Sequence, residues 1–234
     1  MTPELANGIA FFVVFLFSTT VHEAVHAWAA LRGGDPTAYH GGQVSLDPIP
    51  HIRREPFGML ILPLITSVTF GWPFGYASAP YDPEWALRHP RRAALMALAG
   101  PGANLVLVIL ALAALRTGAM FEVFQPPASA TFSMLATTDA GATWEAAGRI
   151  LSIVFSLNLL LFVFNLLPFP PLDGSAAITL LMTRDLTHRY QRFVMGSPML
   201  GLLGMIIAWR LFGRVFDPVF TLAISLIYPG VSYG

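Results

Sequence analysis

The chain contains no cysteine and no lysine. Without cysteine there are no disulfides and no thiolate metal ligands, and no redox compartment can be read. Charge is also scarce. Only 11% of the 234 residues are charged, against roughly 25% in an ordinary soluble domain. Thirteen arginines face thirteen acidic residues, so the formal net charge is zero. No basic field is available to hold a phosphate backbone, which excludes a nucleic-acid partner. A residue content that is 55% hydrophobic also excludes a disordered chain and a water-soluble enzyme.

What takes the place of charge is a set of long apolar runs. A membrane-spanning helix needs about 20 mostly apolar residues. Five stretches approach that length: 9–31, 92–115, 150–167, 195–212 and the shorter 215–228. A sixth, 57–72, contains Pro63 and ends in Gly71-Trp72-Pro73. It is short for a span and reads as re-entrant or interfacial. The expected fold is therefore an all-α polytopic membrane protein with about five to six transmembrane helices. The N-terminal Met1-Thr2-Pro3-Glu4 lacks a basic leader region, so the first apolar segment is expected to stay in the mature protein. The loop 117–148 carries Pro126-Pro127 and is too short for most independent domains. One membrane domain, 1–234, is expected, with a core at 9–183 and C-terminal helices at 195–228. Nothing in the sequence marks an oligomeric state.

Near the end of the first segment stands His22-Glu23-Ala24-Val25-His26. Residues four apart on a helix share a face, so both imidazoles can grip one zinc ion. Glu23 then lies beside the metal, placed to take a proton from bound water. With six His and six Glu in the chain, chance places this pentad in roughly 0.4% of such sequences, so the pattern is specific. Ionisable groups inside a membrane segment are also costly without a function. A third ligand must come from elsewhere. Asp173 follows an apolar segment and three prolines in Asn165-Leu166-Leu167-Pro168-Phe169-Pro170-Pro171-Leu172-Asp173-Gly174. An N-cap for a following helix is an equally good reading of Asp173 taken alone. Asp217 before Pro218 reads as a helix start.

Three stretches together resemble the site-2 protease family of intramembrane zinc metalloproteases. They are HEAVH, then Ala99-Gly100-Pro101-Gly102-Ala103-Asn104, then NLLPFPPLDG. The resemblance covers about residues 12–180 and implies a minimal bacterial type without PDZ or CBS modules. It implies a multi-pass location in the bacterial inner membrane. It also implies His22, His26 and Asp173 as ligands of one Zn2+ and Glu23 as the catalytic glutamate. Asn104 and Asn165 match polar residues near the active site, where either amide is a candidate to stabilise the oxyanion. Gln43, Val44, Ser45 and Leu46 resemble the family's short strand after the first motif, and a β-hairpin-like edge there is a candidate to pair with an unwound substrate. After His51-Ile52 this chain departs from the family, which commonly has Asp where Arg53 stands.

The implied activity is cleavage of transmembrane segments of single-pass membrane proteins within the lipid bilayer. A metal transporter or sensor, or an inactive helix-binding relative, would use the same residues without hydrolysis. Convergence of the three motifs puts their helix ends on one face. That face then carries nine arginines against four on the other. The positive-inside rule then places the N-terminus outside and the active site toward the cytoplasm.

Overall fold

The computed structural model describes residues 2–231. Met1 and residues 232–234, the ends of the expected 1–234 domain, lie outside the described residues. The described chain is helical, with four helices long and apolar enough to cross a membrane. These are α1 (Pro3–Gly33), α6 (Pro90–Met120), α7 (Ala142–Asn165) and α10 (Pro198–Ser225). Between α1 and α6 lie α2 (Thr37–His40), α3 (Pro48–Arg54), α4 (Leu62–Phe70) and α5 (Pro83–Arg88). A π-helical turn, Phe57–Ile61, leads into α4. Two further elements follow α7: α8 (Asp173–Ala177), continued by a 3-10 turn at Ile178–Leu181, and α9 (Arg184–Met195).

Helix ends follow local chemistry. Thr2 caps α1 by accepting from the Leu5 amide at 3.3 Å, and Gly34 closes it in a left-handed conformation. The ends of α1 and α6 are stitched together, because Trp85 Nε1 and Arg92 Nη1 both donate to the Gly33 carbonyl at 3.0 and 3.1 Å. Asp35, buried beneath this junction, accepts from the Thr37 amide, the Thr37 hydroxyl and the Asp82 amide. Small residues let α6 lie close to α1. Ala93, Ala94, Ala97 and Gly100 are all buried, as expected where lipid gives helices no hydrophobic drive to associate. At the centre, α7 touches α1, α6 and α10. Its Ile153 and Leu157 pack on Phe11, Val14 and Phe15 of α1. Its Phe155, Leu159 and Val163 pack toward Phe216 and Ile224 of α10.

Three of the expectations change. The stretches 195–212 and 215–228 fall largely in one continuous helix, α10, so among the described residues four helices, and not five, are long and apolar enough to cross a membrane. Gly213 and Arg214, which separate them, stay inside the helix, because Gly213 does not adopt the left-handed conformation that would close it. Asp217-Pro218 consequently lies inside α10 and starts nothing. The Asp217 carbonyl instead accepts from the Thr221 hydroxyl at 2.9 Å. Residues 43–46 form no strand; Val44, Ser45 and Leu46 lie in bends. Turn chemistry wins there, because Ser45 Oγ accepts from the Asp47 amide and Asp47 caps α3. Among the described residues, antiparallel pairing is confined to isolated bridges at Gln125–Thr137 and Thr131–Met134, between α6 and α7. The segment 57–72 is helical to Phe70, and Gly71 ends it in a left-handed turn. The chain then runs back, and the Tyr76 amide donates to the Gly58 carbonyl at 3.1 Å.

Candidate metal centre

The centre is built on one stripe of α1. Ser18, His22 and His26 are spaced by four residues and are all buried, so they face the same way. That face looks at α6, where Gly100 leaves the room. A Cβ at Gly100 would collide with Nε2 of His26 and lie 2.5 Å from Nε2 of His22. Asp173 is delivered from the other side. Leu172 takes the N-cap position, and Asp173 opens the first turn of α8. Its carboxylate therefore leaves the helix end and turns toward the imidazoles. Gly174 lets α8 sit on the end of α7, since a Cβ there would strike the Leu166 backbone.

Three donor atoms converge. His22 Nε2 and His26 Nε2 are 2.9 Å apart, and Asp173 Oδ2 lies 3.2 and 3.3 Å from them. A tetrahedral ion with bonds of about 2.0–2.1 Å has donor atoms roughly 3.3 Å apart. The triangle fits such an ion. The protonation pattern fits as well. His22 Nδ1–H donates to Asn104 Oδ1 at 2.5 Å, and His26 Nδ1–H donates to the Met96 carbonyl at 2.7 Å. Each ring therefore presents a lone pair at Nε2. Two lone pairs and a carboxylate oxygen at such distances call for a cation.

Behind His22 the hydrogen bonds continue. Asn104 Nδ2 donates to Asn158 Oδ1 at 2.8 Å. Asn158 Nδ2 donates to Ser18 Oγ at 2.9 Å and to the Val154 carbonyl at 2.8 Å. Both amides are 0% exposed, so Asn104 stands behind the imidazole and away from open space. Asn158 and Ser18 escape motif reading. Their only sequence signal is a polar residue in an apolar run, with Ser18 one helical turn before His22.

In front of His22 lies a cavity of about 440 Å³. Glu23, Asp173 and Asn165 line it with His22, and residues 75–78, which belong to no helix or strand, form another wall. Asn165 Nδ2 donates to the Leu161 carbonyl at 3.0 Å, one turn back on α7. Val44, Ser45 and Leu46 stand outside this cavity, and Leu46 is 67% exposed. Gln43 is buried, and its Nε2 donates to the Ser78 carbonyl at 3.1 Å, so it braces the wall. Ala77 and Ser78 begin the stretch 77–83, which resembles the family's proline-bearing approach to the second motif, whereas Gly75 and Tyr76 carry no motif.

Four long apolar helices around a buried His–His–carboxylate triangle with a glutamate in the adjoining cavity define a membrane protein with a candidate metal centre. Comparison with known proteins supplies the lineage. The chain belongs to peptidase family M50, the site-2 protease family, whose model matches residues 10–205. It is 35% identical over 163 residues to "Putative zinc metalloprotease YwhC" of Bacillus subtilis, covering 69% of this chain and 64% of that protein. It is 35% identical over 179 residues to "Putative zinc metalloprotease Rip2" of Mycobacterium tuberculosis, covering 75% of this chain and 59% of that protein. The Rip2 protein of Mycolicibacterium smegmatis is 30% identical over 164 residues, covering 70% and 54%. The chain thus spans less than two thirds of the length of these curated relatives. No solved structure matches the chain.

Proposed function

We propose that the chain is an intramembrane zinc endopeptidase that cuts transmembrane segments of single-pass membrane proteins. The observation that carries this reading is the convergence of two Nε2 lone pairs and the Asp173 carboxylate beside a cavity that also holds Glu23. Membership of peptidase family M50 supports hydrolysis over transport. His22, His26 and Asp173 would hold one zinc ion per chain. Bound zinc supplies Lewis acidity, which brings the pKa of a water to about 7 and polarises a carbonyl.

The protein's own groups do the rest. The Glu23 carboxylate accepts a proton from the attacking water and gives it to the departing amide nitrogen. Asn165 offers a side-chain amide inside the same cavity for the carbonyl oxygen that gains charge. Asn104 is a positioning residue: it fixes the proton of His22 on Nδ1. A helical substrate hides its carbonyls and must unwind before attack. The wall at 75–78 is suited to receive the unwound segment, and Gln43 steadies it. In this reading 43–46 serves the substrate at one remove.

The whole chain acts as one membrane domain with its catalytic core at 9–183. The segment 57–72 enters and returns on the motif side, a reading supported by the hydrogen bond from the Tyr76 amide to the Gly58 carbonyl. The nine-to-four arginine asymmetry then puts the motif side in the cytoplasm and the N-terminus outside. The test is cleavage of a model single-pass protein in proteoliposomes carrying the full chain. Cutting within the apolar segment is expected, lost on chelation and restored by zinc. Zinc movement across the vesicle without cutting would overturn the proposal in favour of a transporter.

A further inference from the structure

A second feature of the molecule, independent of the metal centre, is a basic hollow of about 450 Å³ where α6 begins. Arg88, His89, Arg91 and Arg92 line it from one side, and Thr183 and Arg184 from the start of α9. A smaller hollow of about 390 Å³ on the same helix adds Arg189 and Arg192. In a chain of zero net charge this is a strong concentration of one sign.

Little within the protein neutralises it. Arg88 pairs with Asp82 at 3.3 Å and with Glu84 at 4.0 Å. Arg91, Arg92, Arg184, Arg189 and Arg192 have no carboxylate within 4.0 Å among the described residues. Asp185, beside Arg184, is the one acidic residue lining either hollow. Arginine presents a planar fork of donors that suits phosphate oxygens.

The surroundings say where that phosphate comes from. Arg91 and Arg92 open a helix of membrane-spanning length, so the hollow lies at the level of a bilayer surface. Leu181, just before α9, is 88% exposed, and Leu186 and Phe193 on α9 are exposed as well. A helix with basic residues on one side and exposed Leu and Phe on the other lies in the membrane interface. We propose that this hollow binds the phosphate of an anionic lipid headgroup, with the acyl chains against Leu181, Leu186 and Phe193. The site also touches the segment that carries Asp173, because Thr179 lines both this hollow and a cavity of about 270 Å³ beside Asp173.

The test uses the detergent-solubilised full chain and native mass spectrometry. The probes are dioctanoyl phosphatidylglycerol, dioctanoyl phosphatidylcholine and inorganic phosphate. Phosphatidylglycerol is expected to bind saturably, phosphatidylcholine much more weakly, and millimolar phosphate is expected not to displace the bound lipid. The double variant Arg91→Gln/Arg184→Gln should lose at least about tenfold in phosphatidylglycerol affinity while keeping its zinc. The control Arg210→Gln/Arg214→Gln, away from the hollow, should bind as wild type does. Equal retention of both lipids, or unchanged affinity in the Arg91/Arg184 variant, overturns the proposal. Complete displacement by inorganic phosphate overturns the lipid assignment.

Discussion

Asn104 Oδ1 accepts the Nδ1 proton of His22 while Asn104 Nδ2 is tied to Asn158. One buried amide thereby fixes both the tautomer and the tilt of a candidate metal ligand, with Asn158 and Ser18 holding the amide in turn. Partners of this kind affect affinity by about 10–100-fold. Asn158→Ala should weaken zinc binding within that range, and Asn104→Ala should weaken it more. Chelator competition on the purified full chain reads both. Wild-type zinc affinity in Asn104→Ala would remove the amide from the account.

Gly100 is the place where α6 yields to the histidines. A methyl group there meets both Nε2 atoms. Gly100→Ala should abolish stoichiometric zinc and cost about 1–3 kcal/mol through overpacking. Gly102, where a Cβ has open space around it, makes the control. Metal analysis and thermal unfolding compare the two, and equal loss in both variants would contradict the steric argument.

Asp35 gives a pH signature away from the membrane. Burial pushes its carboxyl up, but the Thr37 hydroxyl, the Asp82 amide and the Thr37 amide outweigh this and hold it below the ordinary carboxylate range. A group whose pKa is depressed on folding stabilises the protein above its unfolded pKa. That stabilisation is lost as the pH falls through the folded value. The melting temperature should therefore drop as the pH falls below about 4, and part of the drop should vanish in Asp35→Asn. Asp35→Ala should destabilise at neutral pH by about 1–3 kcal/mol, because it leaves buried donors unpaired. Parallel pH–melting profiles for wild type and Asp35→Asn would exclude this role.

The metal ligands were the most legible part of the sequence. The i, i+4 histidines are a local pattern that a helix turns into geometry without help from the rest of the fold. Asp173 was ambiguous because an N-cap and a ligand look alike in sequence. What separates them is that Leu172 takes the cap and frees the carboxylate. Asn158 and Ser18 were hidden because a single polar residue in an apolar run names no partner. Their partners come from helices 54 and 140 residues distant. The division between 212 and 215 failed because Gly213 and Arg214 look like an end, yet Gly213 does not take the left-handed conformation that closes a helix and α10 runs through both. The cavity wall at 75–78 was legible only from Ala77 on, because Gly75 and Tyr76 belong to no helix or strand and are placed by the bond from the Tyr76 amide to Gly58.

Gln43 and Leu46 separate bracing from direct substrate pairing. Gln43→Ala releases the Ser78 carbonyl and should lower cleavage severalfold with zinc content unchanged. Leu46→Ser, at an exposed position outside the cavity, should leave cleavage near wild type. Rates on a model membrane peptide, measured beside metal content, decide between them. Strong loss in Leu46→Ser with an intact Gln43→Ala would restore 43–46 as the substrate edge.

The central claim is that Glu23 moves the proton while His22, His26 and Asp173 hold the metal. The most direct measurement is zinc content and peptide cleavage in wild type and Glu23→Gln, side by side. The account predicts about one zinc per chain in both proteins. It predicts cleavage by wild type and a loss of at least about a hundredfold in Glu23→Gln. Full cleavage by Glu23→Gln with its zinc in place would contradict it.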